Sequence, residues 1–197
     1  MNIRAKLIID EFARHRAQFE YFCRALSPQE LGEHVPGAPW SVRDYIAHLC
    51  TIDGLIAVNF SQSVGLDVPP PDVPIPQPFD IDEWNEAAVR ARRQHSIDDL
   101  LHEAAQHRNR LTAAIARMDD AFLDRTVMFG GDRKVIDLPP APVPLGGVLW
   151  AIAIHDPTHT SDILKALPHR AEERWVRDWL DSVSDYLVPE AVLQRRA

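Results

Sequence analysis

The sequence predicts an all-α fold: a four-helix bundle with a long proline-rich crossover, a small hairpin and an extra C-terminal helix. Three observations lead there. Apolar residues recur near the 3.6-residue helical period through most of the 197 residues. Serine- or aspartate-based start signals precede the longest periodic runs. Most of the 16 prolines fall in two stretches, 69–78 and 139–144, which separates helical runs from connections. This length suits one domain over residues 1–197, with its core at 3–167.

Residues 3–26 place Ile3, Leu7, Ile8, Phe12, Phe19, Phe22, Cys23 and Leu26 among charged residues, which predicts a long amphipathic helix. Ser27-Pro28-Gln29-Glu30 offers a cap, a proline at the first helical position and a glutamate three residues on, so a short helical turn follows. Ser41 with Asp44 repeats that box in acidic form, and Trp40 with Tyr45 occupies the positions of a hydrophobic staple. The helix from about Val42 to about Ser61 is apolar on all sides, the mark of a buried helix, with His48 and Asp53 as its polar intruders. Residues 65–79 carry six prolines and predict an extended crossover. Phe79-Asp80 before Glu83 and Trp84 starts the next helix, and Ser96 with Asp99 predicts a restart or kink before a run to about Met118. Thr126–Phe129 and Lys134–Leu138 flank Gly130-Gly131-Asp132 as a hairpin pattern. A last amphipathic helix is expected at about 171–187, with Trp175, Trp179, Val183 and Leu187 on one face.

Bulk properties exclude some functions. A net charge of −8 is the wrong sign for a nucleic-acid footprint. The apolar run Val148–Ile154 is too short to cross a bilayer, and the first residues lack the apolar core of a signal peptide. Cys23 and Cys50 sit in apolar helical patterns, as buried thiols of a reducing compartment do. A cytoplasmic protein without nucleic-acid or membrane partners is the expectation.

Of the nine histidines, His15, His34, His95 and His169 lie in polar surroundings and read as surface residues. His102 and His107 are five apart, off the four-residue spacing that puts two imidazoles on one helix face. His155 and His159 have that spacing, directly after an apolar run, and His48 in the buried helix is the natural third partner. Neutral imidazoles so placed suit zinc or nickel, but three core histidines bonded to backbone or carboxylate would give the same pattern. Pro157 adds a second ambiguity. With Asp156 as a cap, Val148–Ile154 would be a buried strand and His155 would lie outside the helix.

Trp40-Ser41-Val42-Arg43-Asp44-Tyr45-Ile46-Ala47-His48-Leu49, then Asp82-Glu83-Trp84-Asn85, then the His155–His159 segment together resemble the DinB/YfiT-like superfamily over roughly residues 3–167. The first element is also similar to the N-terminal domain of mycothiol-dependent maleylpyruvate isomerases. The resemblance implies a four-helix bundle whose metal ligands are His48, His155 and His159, with helix four kinked at Pro157. In the isomerase branch the first member of the later pair is typically glutamate, so His155 points to the three-histidine branch.

Around the triad, Asp44 has a capping role that competes with orienting His48, while Asp156 and Asp162 are candidates to hold a ligand's ring N–H. Asn85 is a candidate to approach the site from the third helix, and Trp40 and Trp84 serve first as staple residues. The implied function is a metal-dependent transferase or isomerase using a low-molecular-weight thiol on a small electrophile. The alternatives are a metal-hydroxide hydrolase or a non-catalytic metal-binding or stress-response protein on the same scaffold. The proline-rich loop and residues 124–145 would shape the cavity mouth. The expected partners are a small-molecule substrate and a second copy in a homodimer through Trp175 and Trp179, although packing on the protein's own bundle explains those tryptophans more simply.

Overall fold

A computed structural model describes residues 1–65, 71–129 and 141–183, whose regular elements are helices apart from one two-stranded ribbon. Helix α1 (Ile3–Ala25) starts at Asn2, whose side chain accepts from the N–H groups of Arg4 and Ala5. Helix α2 (Pro28–Gly32) opens on the expected box between Ser27 and Glu30. Helix α3 (Val42–Ser63) does the same. The Ser41 N–H donates to Asp44 Oδ2 at 3.1 Å, and the Asp44 N–H to Ser41 Oγ at 3.2 Å. Trp40 and Tyr45 meet edge-on at 5.3 Å, so the staple is present as well.

In the crossover, residues 71–79 form neither helix nor strand, as their prolines require. They are nonetheless pinned: Trp84 Nε1 donates to the Val73 carbonyl, and Arg92 binds both carboxylate oxygens of Asp72 at 2.8 Å. Helix α4 (Ile81–Ala91) starts at Asp80 and helix α5 (Ile97–Ile115) at the Ser96–Asp99 box, so the restart is a full break. A short α6 (Asp120–Leu123) leads into β1 (Thr126–Phe129).

The strand that pairs with β1 is β2 (Ala141–Pro144), antiparallel, with Val127 opposite Val143. The segment Lys134–Leu138, expected to be the second strand, lies outside the described residues. Two prolines fit in β2 because they alternate. The Leu145 N–H reaches the Arg125 carbonyl at 2.8 Å, so residues 141, 143 and 145 face β1. Pro142 and Pro144 turn their missing donors outward.

Helices α7 (Leu145–Ala153) and α8 (His155–Ile163) are collinear in sequence and broken at Ile154, whose φ of −91° and ψ of 10° are not helical. The strand alternative for Val148–Ile154 is thereby excluded. Pro157 explains the break. It cannot donate to the Ala153 carbonyl and its ring crowds that group, so the chain resets and Pro157 falls in the first turn of α8, where no donor is needed. The ladder resumes with the Thr158 N–H to the Ile154 carbonyl at 3.1 Å. The terminal helix is shorter and later than expected: a turn, α9 (Pro168–Ala171), precedes α10 (Arg174–Asp181), and Leu187 lies outside the described residues.

Helix α3 packs chiefly on α5, while α1 contacts α5, α7 and α8, and α8 contacts α3. Their shared core has two apolar halves. One joins Phe19, Phe22, Ile46, Leu49, Leu100 and Ile163, and the other Ile8, Phe12, Ala57, Leu111, Ile115 and Leu149. Each large side chain so buried contributes roughly 1.5–3 kcal/mol. Between the halves, at Arg16, Asp53, Arg108 and Asp156, α1, α3, α5 and α8 each contribute one buried charge. Trp175 and Trp179 pack on α1 as part of this core, Trp175 edge-on to Tyr21 at 4.8 Å.

Candidate metal centre

His48 stands in the second turn of α3, 3% exposed, where its helix is buried on nearly every side. His155 is the first residue of α8 and His159 lies one turn on, so the reset at Ile154 leaves both on one helix. The rings meet as the spacing predicts. Their centroids are 4.5 Å apart for His155–His159 and 5.2 Å from His48 to each of the other two. One nitrogen from each ring lies within 4.8 Å of the others. A tetrahedral zinc ion needs nitrogens about 3.3–3.4 Å apart, so the rings have only a small distance to close. Among the described residues this is the group of three or more metal-ligating side chains able to hold an ion.

Surrounding residues fix the rings. Asp162 Oδ2 lies 3.0 Å from His159 Nδ1, and Asp162 Oδ1 accepts from Lys165 Nζ at 2.6 Å. A carboxylate at Nδ1 places the proton there and leaves the Nε2 lone pair to bind an ion. Burial raises the Asp162 pKa, but its hydrogen bonds with His159 and Lys165 outweigh this and hold it below the usual carboxylate range. Tyr45 packs 5.5 Å from His159 and Trp40 packs 5.1 Å from His48. The Trp40 indole is itself held by Glu86 at 3.0 Å. Burial, and then the charge of Asp162, raise the Tyr45 pKa, so this phenol stays neutral.

The remaining candidates separate clearly. Asp44 caps α3 with Ser41, and Asp162 is the carboxylate that bonds the His159 ring. Asp156 does not take that role. Its oxygens are held by Arg16 at 3.0 Å and Arg108 at 3.4 Å, turned away into the core. Asn85 is buried on α4, with no hydrogen-bond partner for its Oδ1 among the described residues. His107 bonds Glu103 at 3.1 Å, and Glu103 is gripped by Arg92, so that pair belongs to a separate ion network.

Two features escaped the sequence. His15, expected at the surface, is fully buried and accepts from Trp179 Nε1 at 3.0 Å. Burial, then the charge of Arg14, lower its pKa to about 4. The second is the ionic layer. Asp53 Oδ2 accepts from Arg108 Nε at 2.6 Å and from Arg16 Nη2 at 3.2 Å, which completes a closed set with Asp156. A signal existed for Arg16, which falls one turn after Phe12 and one turn before Phe19, in line with the apolar face.

No curated protein and no solved structure matches the chain. The family model of the DinB superfamily matches residues 11–163, a span that runs from α1 through the His155–His159 pair and takes in all three clustered histidines. The chain therefore belongs to the DinB superfamily.

Proposed function

We propose that the protein is a metal-dependent enzyme in which His48, His155 and His159 hold one divalent ion, zinc or nickel, and a low-molecular-weight thiol is transferred to, or isomerises, a small electrophile. The observation that carries this is the convergence of three imidazole nitrogens within 4.8 Å from two different helices. A carboxylate already set to orient one of the rings supports it. The donor set fits a borderline ion, and three neutral ligands are the set used where a coordination position stays open for chemistry. When bound, such an ion supplies a full positive charge that favours a thiolate over a thiol.

The chain's own residues then have defined tasks. Asp162 keeps the His159 proton on Nδ1. Trp40 and Tyr45 hold the outer faces of His48 and His159. Neither buried thiol is suited to act as nucleophile in place of an added one: burial raises the Cys50 pKa to about 12 and places Cys23 well above its ordinary value. The nucleophile therefore comes from outside the chain.

Metal content of the purified protein, measured beside His48→Ala and His159→Ala, tests the site. About one ion per chain, lost in both variants, is the expected result. Conjugation of a thiol panel with electrophiles then tests the reaction. Turnover without any thiol would replace this reading with metal-assisted hydrolysis. Intact folded protein that takes up no ion after reconstitution would overturn it.

A further inference from the structure

We infer that Asp156 is a positioning residue for the metal ligands, and that its grip by the buried Arg16 and Arg108 sets the rotation of helix α8; this rests on the metal reading above. Helix α8 is poorly defined by its own sequence. It has nine residues, no side-chain cap at Ile154, and a proline in its first turn that removes the ladder bond across the break. Continuity with α7 therefore does not fix its phase.

Asp156 fixes it instead. The carboxylate is 1% exposed and is gripped from two sides, by Arg16 of α1 through Oδ1 at 3.0 Å and by Arg108 of α5 through Oδ2 at 3.4 Å. Both guanidiniums are tied down independently. Arg16 donates to the Leu49 carbonyl at 3.0 Å and Arg108 to the Phe12 carbonyl at 3.1 Å, anchors that remain when the charge of Asp53, which also binds both, is removed. The backbone of Asp156 is also engaged, because its carbonyl accepts from the buried Thr160 hydroxyl at 2.8 Å. His155 precedes Asp156 by one residue and His159 follows by three, so with Asp156 turned into the core both imidazoles fall on one flank, where they meet His48.

Asp53 supplies the comparison. It belongs to the same layer, but its helix is capped by the Ser41–Asp44 box and buried along its length, so α3 does not depend on the layer for its orientation. Asp156→Asn removes the charge that grips α8 without changing side-chain size, and Asp53→Asn makes the equivalent change on α3.

The experiment is titration of both variants and wild type with Co2+ as the probe, followed by its d–d absorption and by competition with a chelator, beside urea unfolding of each protein. Asp156→Asn is expected to bind at least tenfold more weakly with an altered d–d spectrum. Asp53→Asn, similarly destabilised, is expected to keep the wild-type spectrum and an affinity within threefold. Should Asp156→Asn not fold, Arg108→Lys, which keeps the charge but loses the two-sided reach, is expected to show the same spectral change. A folded Asp156→Asn (or Arg108→Lys in its place) with wild-type affinity and spectrum overturns the positioning role alone. Equal losses in both Asn variants reduce it to general stability. Wild type that binds no Co2+ overturns the metal reading and this inference with it.

Discussion

Asp162 lies one turn beyond His159 on the same helix face, its Oδ2 3.0 Å from Nδ1 of the imidazole and its other oxygen bound to Lys165. The contact does two things. It selects the tautomer with Nε2 unprotonated, and it limits ring rotation, so that the Nε2 lone pair is free to bind an ion. On the proposed metal reading the carboxylate is a support and not a ligand, since the clustered donors are His48, His155 and His159. Asp162→Ala is therefore expected to retain the metal but bind it about tenfold or more weakly. Chelator competition on the purified variant measures this, and unchanged affinity would mean that helix α8 alone orients the ring.

The ionic layer makes a second prediction, on stability. Removing one member leaves a buried charge without its partner. Asp53→Ala strips both Arg16 and Arg108 of a carboxylate within the core and is expected to destabilise the fold by about 3–5 kcal/mol. Replacing all four residues with apolar ones of similar size removes the stranded charges as well and is expected to restore most of that loss. Urea unfolding of the single and fourfold variants separates the two cases. If the fourfold variant is as unstable as Asp53→Ala, the layer stabilises the fold by more than its desolvation costs.

How much of this was legible beforehand follows from how local each signal is. The boxes at Ser27–Glu30, Ser41–Asp44 and Ser96–Asp99 are contacts across three residues, and all three were readable and are present. The His155–His159 pair was readable because four residues make one helical turn, although only the resemblance to a known family favoured a helix kinked at Pro157, with His155 inside it, over a strand that leaves His155 outside. The triad needed one long-range step, to His48. The ionic layer needs several such steps: Asp53 was legible as a polar intruder in a buried helix, but its partners were not, and nothing local distinguishes Arg16 from Arg14 apart from its place on the apolar face. His15 failed for the same reason: its partner, Trp179, lies at the far end of the chain. The hairpin was half readable, since prolines discourage a strand unless they alternate outward, as Pro142 and Pro144 do.

Gly54 offers a third prediction, on packing between α3 and α5. A Cβ at this position would lie 2.8 Å from the His107 ring, closer than carbon atoms tolerate. His107 has little room to yield, because Nε2 is tied to Glu103 at 3.1 Å and Glu103 is in turn held by Arg92. Gly54→Ala is expected to cost about 1–3 kcal/mol despite alanine's better helix propensity. The double variant with His107→Ala is expected to recover most of this. Thermal unfolding of both variants checks it, and a neutral Gly54→Ala would show that the His107–Glu103 contact is readily given up.

The fourth prediction concerns pH and the seating of α10. His15 is fully buried in α1, and its Nδ1 accepts from Trp179 Nε1 at 3.0 Å, a bond that only the unprotonated nitrogen can make. Glu11 and Arg14 face its Nε2 at 3.2 Å and 3.0 Å. Burial is the largest influence and Arg14 the next, both opposing protonation, so the folded pKa falls to about 4 from an ordinary 6.5. Unfolded chains protonate this histidine near 6.5, and between the two values they hold one proton more than folded ones. The stability contributed is therefore fully present above pH 6.5 and is lost progressively as pH falls toward 4, on the order of 1–3 kcal/mol across the window after screening. His15→Asn keeps an acceptor for the indole but does not titrate. Its melting temperature is expected to fall less steeply with pH over that range than that of wild type, with Trp179 fluorescence reporting release of α10 in wild type first. Parallel curves for the two proteins would place the acid sensitivity elsewhere and leave His15 as an ordinary buried acceptor.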